Sequence, residues 1–381
     1  MADQGFTMGI EEEYLLVDRA SRDLLADPPP ELFAACEKQL ANRVTPEFLR
    51  SQIEVGTPVC RSIGEARDAL RDLRACVGAV AAEFDAAIIA ASTHPFAHWT
   101  SQRHTDKARY KAIAEDIGRP ALRLLICGMH VHIGVEDEDL RIDLGNQIAY
   151  FLPHLLALST SSPFWEGLDT GLMSYRVSVF DEMPRTGLPE RFESYGEYQR
   201  HVKLLVDAGI IEDSTKIWWD VRPSARFPTL EMRICDVCTR LDDAICIAAL
   251  YVCLVGMLVR LRRGNQRWRT YANMLVAENR WRAQRYGNDQ GLIDFGRGTI
   301  VPYGELLDEI IALVRPEAET LGCVSDIEHA RTILARGTSA HNQRRIFEQA
   351  RDAGAGTPEA LRSVVDWLIA ETQPPACQPP A

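Results

Sequence analysis

The chain has 381 residues, enough for two or three ordinary domains or for one extended sheet wrapped in helices. A hydrophobic share of 46% and a charged share of 25% are those of a globular protein and exclude fibrous and largely disordered classes. A net charge of -12 argues against a nucleic-acid partner, which needs a basic face, and favours the recruitment of cations.

The opening MADQGFTMGI has neither a basic stretch nor a long apolar one, so no secretory signal is expected and the expected location is cytoplasmic. The ten cysteines are then expected to be reduced and mostly buried. Cys235 and Cys238 in CDVC form the one close pair, and core packing is preferred for them over zinc or redox chemistry.

Residues 9–17, GIEEEYLLV, read as a strand. Ser62 followed by Glu65 forms a capping-box pattern, and Ala66, Leu70, Leu73, Val77, Val80 and Phe84 continue at helical spacing. AAIIAAS then predicts a strand that ends at Thr93, His94 and Pro95. Residues 137–143 read as an acidic loop, followed by a helix over 143–160 kinked at Pro153. Residues 181–189 read as another loop. A third helix spans 242–262; its uncharged run, 244–259, is too short for a bilayer span, so a buried core helix is expected and no membrane partner. Residues 271–286 predict a helix with Trp281 and Tyr286 in the core, and 305–335 a C-terminal helical pair. Four prolines mark 371–381 as a disordered tail after a single catalytic domain over 1–370. Strands interleaved with long helices, without a regular β-α-β rhythm, indicate an α+β fold with a largely antiparallel sheet.

Alternate residues of a strand share a face. Glu11 and Glu13 therefore point together, as do His130 and His132 in CGMHVHIGV, Glu231 and Arg233 in TLEMRICD, and Gln52 and Glu54 in SQIEVG; in WWDVRPS, Asp220 pairs with Arg222. Each strand alone reads as the wet face of a half-buried antiparallel strand. Together they describe one surface of carboxylates, imidazoles and guanidiniums. Two carboxylates at ~4 Å repel by roughly 4 kcal/mol at an effective dielectric near 20, so protons or divalent cations must offset them. A Glu-rich set suits Mg²⁺ or Mn²⁺ better than zinc, and metals beside arginines are what phosphoryl transfer uses. No Walker A pattern and no glycine-rich dinucleotide fingerprint occurs. Glu12, between Ile10 and Tyr14, faces away and is expected to tolerate substitution better than its neighbours.

GIEEEYLLVD, QIEVGTPVC, STHPF, CGMHVHIGV, WWDVRPS, TLEMRICD and ENRWRAQRYG, in this order, resemble the type 2 glutamate-cysteine ligase family and in particular its bacterial carboxylate-amine ligase branch. The resemblance implies a glutamine-synthetase-like catalytic fold, a curved and largely antiparallel sheet forming a funnel with helices packed outside. It implies ATP as cofactor, with phosphorylation of the glutamate γ-carboxylate and displacement of phosphate by the cysteine amine. The family's metal-binding acids fall on Glu11, Glu13, Glu54, His130 and Glu231, and Glu47 takes a position where distant relatives place an acid. Arg222 and Arg233 are candidates for the phosphates or acyl phosphate. Arg109 and Arg176 are candidates for nucleotide or substrate carboxylate, and His132 for support of a metal ligand; His94 is read as shaping the site's floor or as structural, and Asn279 and Arg285 as reaching the nucleotide or as part of a packed outer helix. Small-molecule substrates are the expected partners, and a homodimer the expected assembly, although no residue fixes the latter. Two readings stay open beside the ligase: a zinc-dependent hydrolase built on His130 and His132, and a metal-binding scaffold without turnover.

Overall fold

The computed structural model describes residues 6–106 and 117–373. Seven strands form its main sheet: β1 Met8–Asp18, β2 Val44–Pro46, β3 Gln52–Gly56, β4 Ala86–Ile89, β5 Met129–Gly134, β6 Val221–Pro223 and β7 Thr229–Met232. Their order is β6-β7-β5-β1-β3-β2, and every pairing in it is antiparallel. The eleven-residue β1 is the spine. It pairs with β3 along one side, while on the other β5 covers its first half and β4 its second. This is the α+β arrangement with an antiparallel sheet that the sequence indicated.

One face of β1 carries Met8, Ile10, Tyr14 and Leu16, all buried beneath helices. Ile63–Ala82 lies against it, its N-cap Ser62 accepting from the Glu65 N–H at 3.1 Å as the capping pattern required. Leu241–Arg263 is the central core helix. It is apolar and long enough to cross a bilayer, yet 83% of its most apolar window is buried in protein. Its closing arginines pair outward, Arg260 with Glu317 and Arg262 with Asp143.

The structure departs from several of the local readings. Residues 137–143 are no loop: Asp137 caps a helix, Glu138–Ile148, by accepting from the Leu140 N–H at 2.9 Å. Glu138 and Asp139 occupy the first turn, where the helix dipole favours negative charge. The chain then breaks into a 3₁₀ turn, Ala149–Phe151, before Pro153 and resumes as Leu152–Ser159. At the C-terminus the expected pair, Tyr303–Leu321 and Val324–Arg336, is followed by two further helices, Ser339–Asp352 and Thr357–Thr372. The last of these includes 371 and 372 of the expected tail. Thr372 is buried and accepts from the Ala90 N–H at 2.9 Å, and Glu371 pairs with Arg240 at 2.6 Å. Residues 374–381 lie outside the described residues. The helix over 271–286 is found at Asn273–Tyr286, but Trp281 is 48% exposed rather than in the core.

Beside the main core, a satellite cluster of Ile142, Phe192, Tyr198, Val202, Ile211 and Ile217 forms under the helix Tyr195–Asp207. It fixes the excursion that brings Thr215 and Trp218 to the open face of the sheet.

Candidate active site

The open face of the sheet lines a cavity of about 510 Å³. Glu11, Glu13, Glu47, Glu54, His130, His132, Arg176, Arg222, Glu231 and Arg233 all border it, so nearly every residue singled out in the sequence meets at one place. Arg109 lies outside the described residues.

Strand register explains the convergence. Glu13 stands opposite Glu54, Glu54 opposite Thr45, Glu11 opposite His130, His132 opposite Glu231, and Glu231 opposite Arg222. Such partners have Cβ atoms about 4.5–5.5 Å apart. The sheet thus grades from acid to base across its width.

At the acidic end, ligand oxygens of Glu13, Glu47 and Glu54 lie within 4.8 Å of one another. The Gly128 N–H donates to Glu13 at 2.7 Å, the Thr45 hydroxyl to Glu54 at 2.8 Å and the Phe48 N–H to Glu47 at 3.0 Å. Burial, and then the like charges of Glu47, Glu11 and Glu13, push the Glu54 carboxyl well above the ordinary carboxylate range. An all-oxygen set under that much repulsion fits a hard divalent cation such as Mg²⁺ or Mn²⁺. Among the described residues no histidine or cysteine belongs to this group.

In the middle, Glu11 approaches His130 Nδ1 at 3.2 Å and His132 Nε2 at 3.5 Å. Burial works against its charge, but the two imidazoles outweigh it and hold the carboxyl far below its usual range. His130 is lowered by burial and then by Arg233. His132 is raised, because Glu11 and Glu231 outweigh its burial, and its Nδ1 is fixed by the Thr229 hydroxyl at 2.9 Å.

At the basic end, Glu231 is held between two arginines. Arg222 Nε donates to Oε2 at 3.0 Å, and Arg233 Nη1 donates to Oε1. Burial disfavours the Glu231 charge, but Arg233 and then Arg222 keep the carboxyl far below its usual range. Arg222 also donates to the main-chain carbonyls of Thr215 and Ile217, tying the excursion to the sheet. Arg176 borders the cavity, but its terminal nitrogens donate to the carbonyls of Ile234 at 3.0 Å and Arg233 at 3.1 Å. An apolar stretch of wall is made by Leu124, Ile126, Phe180, Met183 and Trp218.

The remaining candidates are structural. His94 Nδ1 accepts from the Phe96 and Ala97 N–H groups and its Nε2 meets the Arg22 carbonyl at 2.9 Å. Asn279 exchanges two hydrogen bonds with the Ile293 main chain, and Arg285 donates to the Gly171 carbonyl. Cys235 and Cys238 are buried free thiols. Glu12 overturns its expectation. It does face away from the cavity, but into a closed ion pair with Arg74, at 2.7 and 2.9 Å, with the Tyr14 hydroxyl adding a third bond at 2.6 Å. Both Glu12 and Arg74 are 0% exposed. Sequence reasoning also passed over Thr45 and Gly128, whose donors aim the acids; Thr45, two residues before Glu47, was the more readable of the two.

The fold is shared with solved structures of a synthetase and a ligase. The chain superposes with a TM-score of 0.71 on a bifunctional glutathione synthetase from Pasteurella multocida, at 15% identity, covering 97% of this chain and 53% of that one. It superposes at 0.69 on the glutamate-cysteine ligase of Francisella tularensis in complex with AMP, at 17% identity, covering 98% and 90%. In sequence, residues 7–364 match the model of glutamate-cysteine ligase family 2. A Rhodospirillum rubrum protein named "Putative glutamate--cysteine ligase 2" is 62% identical over 98% of this chain and 97% of its own length. The chain belongs to glutamate-cysteine ligase family 2.

Proposed function

We propose that the protein is an ATP-dependent carboxylate-amine ligase that joins the glutamate γ-carboxylate to the cysteine amine. The observation that carries this reading is the polarity of the cavity: three converging carboxylates at one end, two arginines at the other. A phosphoanhydride needs both, one to gather cations around its oxygens and one to receive the charge that develops on transfer.

Glu13, Glu47 and Glu54, with Glu11 and His130 beside them, would hold Mg²⁺ or Mn²⁺, which would offset the negative charge of the phosphates. The substrate carboxylate oxygen bonds to the γ-phosphorus as the bond to the β-phosphate oxygen breaks, giving ADP and an acyl phosphate. The amine nitrogen then attacks the acyl carbon, loses a proton, and phosphate departs with its electron pair. No protein nucleophile is used. Arg233 and Arg222 would face the transferred phosphoryl group, and catalysis would rest on positioning and charge. Glu231 keeps both guanidiniums in place between turnovers.

The zinc-hydrolase reading is weakened by geometry, because among the described residues His130, His132 and Glu11 do not bring one ligand atom each within 4.8 Å of one another, whereas Glu13, Glu47 and Glu54 do. Phosphate release from ATP and Mg²⁺ should be stimulated by glutamate plus cysteine. Stimulation by another carboxylate and amine keeps the mechanism and changes the substrates. Release that no such pair stimulates, with stoichiometric zinc in the purified protein, would overturn the ligase reading.

A further inference from the structure

SYRVSVF, 174–180, is left without a task by the chemistry above, yet its arginine meets Gly128 behind the basic end of the cavity. Arg176 is 4% exposed and stands on the helix Tyr175–Phe180. Its Nη2 donates to the carbonyl of Arg233, and its Nη1 to that of Ile234, so both ends of the guanidinium grip the residue that reaches into the cavity and its successor. From the other side, the Arg233 N–H donates to the Asp220 carbonyl at 2.8 Å. Arg233 follows the last residue of β7, where no sheet ladder holds it. Its main chain is therefore fixed by these two bonds instead.

The clamp has its own anchor. The Arg176 N–H donates to the Ser162 hydroxyl at 3.1 Å, and the hydroxyls of Ser162 and Ser174 both donate to the buried carboxylate of Asp236 at 2.8 Å. It also has a steric condition. A Cβ on Gly128 would stand 2.3 Å from Arg176 Nη2 and 2.9 Å from its Cζ. Gly128 is thus bare of a side chain where the guanidinium passes, while its N–H aims Glu13 at the acidic end.

We propose that Arg176 is a positioning residue that sets Arg233 for phosphoryl transfer, and that Gly128 is glycine to admit it. Misplacement of a reacting or charge-receiving group by about 1 Å costs on the order of 100-fold in rate. The kinetic arm of the test rests on the ligase reading; the structural arm does not.

Crystal structures of Arg176→Met, Arg176→Lys and Gly128→Ala should show the Arg233 guanidinium displaced from Glu231, most in Arg176→Met. In phosphate-release assays, folded Arg176→Met should lose roughly 100-fold in kcat with the ATP KM changed by less than about threefold, and Arg176→Lys should recover part of the loss. Gly128→Ala should slow the wild-type enzyme about as much, yet add little in the Arg176→Met background, since the two changes remove one contact. Arg233 unmoved in all three structures, or additive losses in the double variant, would overturn the proposal. A wild-type enzyme without ATP turnover would instead sink the ligase reading, leaving the displacement of Arg233 to decide this one.

Discussion

Glu12→Gln should destabilise the protein strongly while leaving its chemistry intact below the unfolding transition. The substitution keeps size and shape but removes the charge from a pair in which neither partner meets solvent. Arg74 would keep its bonds to the carbonyls of Thr239 at 2.7 Å and Cys238 at 2.8 Å, yet become an uncompensated cation in the core. Breaking a buried pair from one side costs about 3–5 kcal/mol. With an unfolding entropy near 2.1 cal/mol/K per residue, a chain of this length should lose roughly 4–6 °C in Tm. Urea unfolding followed by circular dichroism gives the same quantity as a lowered midpoint at unchanged slope. A Glu12→Gln protein within about 1 kcal/mol of wild type would refute the reasoning, because it would mean that the pair is solvated or its charge compensated elsewhere.

Glu54→Gln should behave in the opposite way. Its folded carboxyl titrates above the unfolded value, so the stability it contributes is present at low pH and is lost as pH rises through the folded value. A neutral amide removes that loss, and cation-free protein at pH 7.5 should unfold at the same or higher urea concentration, while turnover falls on the order of 100-fold or more. Glu231→Gln should lower both, since it leaves Arg222 and Arg233 without their shared anion, at about 3–5 kcal/mol in unfolding free energy. His94 supplies a pH test away from the cavity: burial lowers it to about 4, and its Nδ1 already accepts two main-chain N–H groups. Its contribution is complete above pH 6.5 and should drain away as pH falls toward 4. A His94→Gln variant should show a flatter acid limb in urea titrations between pH 7 and 4.

Much of the site was legible because strands alternate with a period of two. That rule alone sorted Glu11 and Glu13 from Glu12, and brought His130 and His132 to one face. What it does not contain is register. That Glu13 faces Glu54 and that Glu231 faces both His132 and Arg222 depends on pairings between segments far apart in the chain. Glu12 shows the cost of stopping at one strand. Its partner was readable from the other side: Arg74 falls among Leu70, Leu73 and Val77 on the apolar stripe of its helix, and a cation there demands a buried anion. The acidic run at 137–143 was misread because first-turn acids and loop acids look alike until the cap is seen. The final helix carried its pattern in Leu361, Val364, Val365 and Leu368, but the prolines that follow drew the boundary too early.

The central claim is that a substrate carboxylate, not water, attacks the γ-phosphate in this cavity. Glutamate labelled with ¹⁸O in its γ-carboxylate tests it directly, with ATP, Mg²⁺ and cysteine in unlabelled water. One labelled oxygen should pass into each phosphate released, because the bridging oxygen of the acyl phosphate leaves with phosphorus. Phosphate that carries no label from glutamate, and takes up ¹⁸O from labelled water instead, would contradict the account.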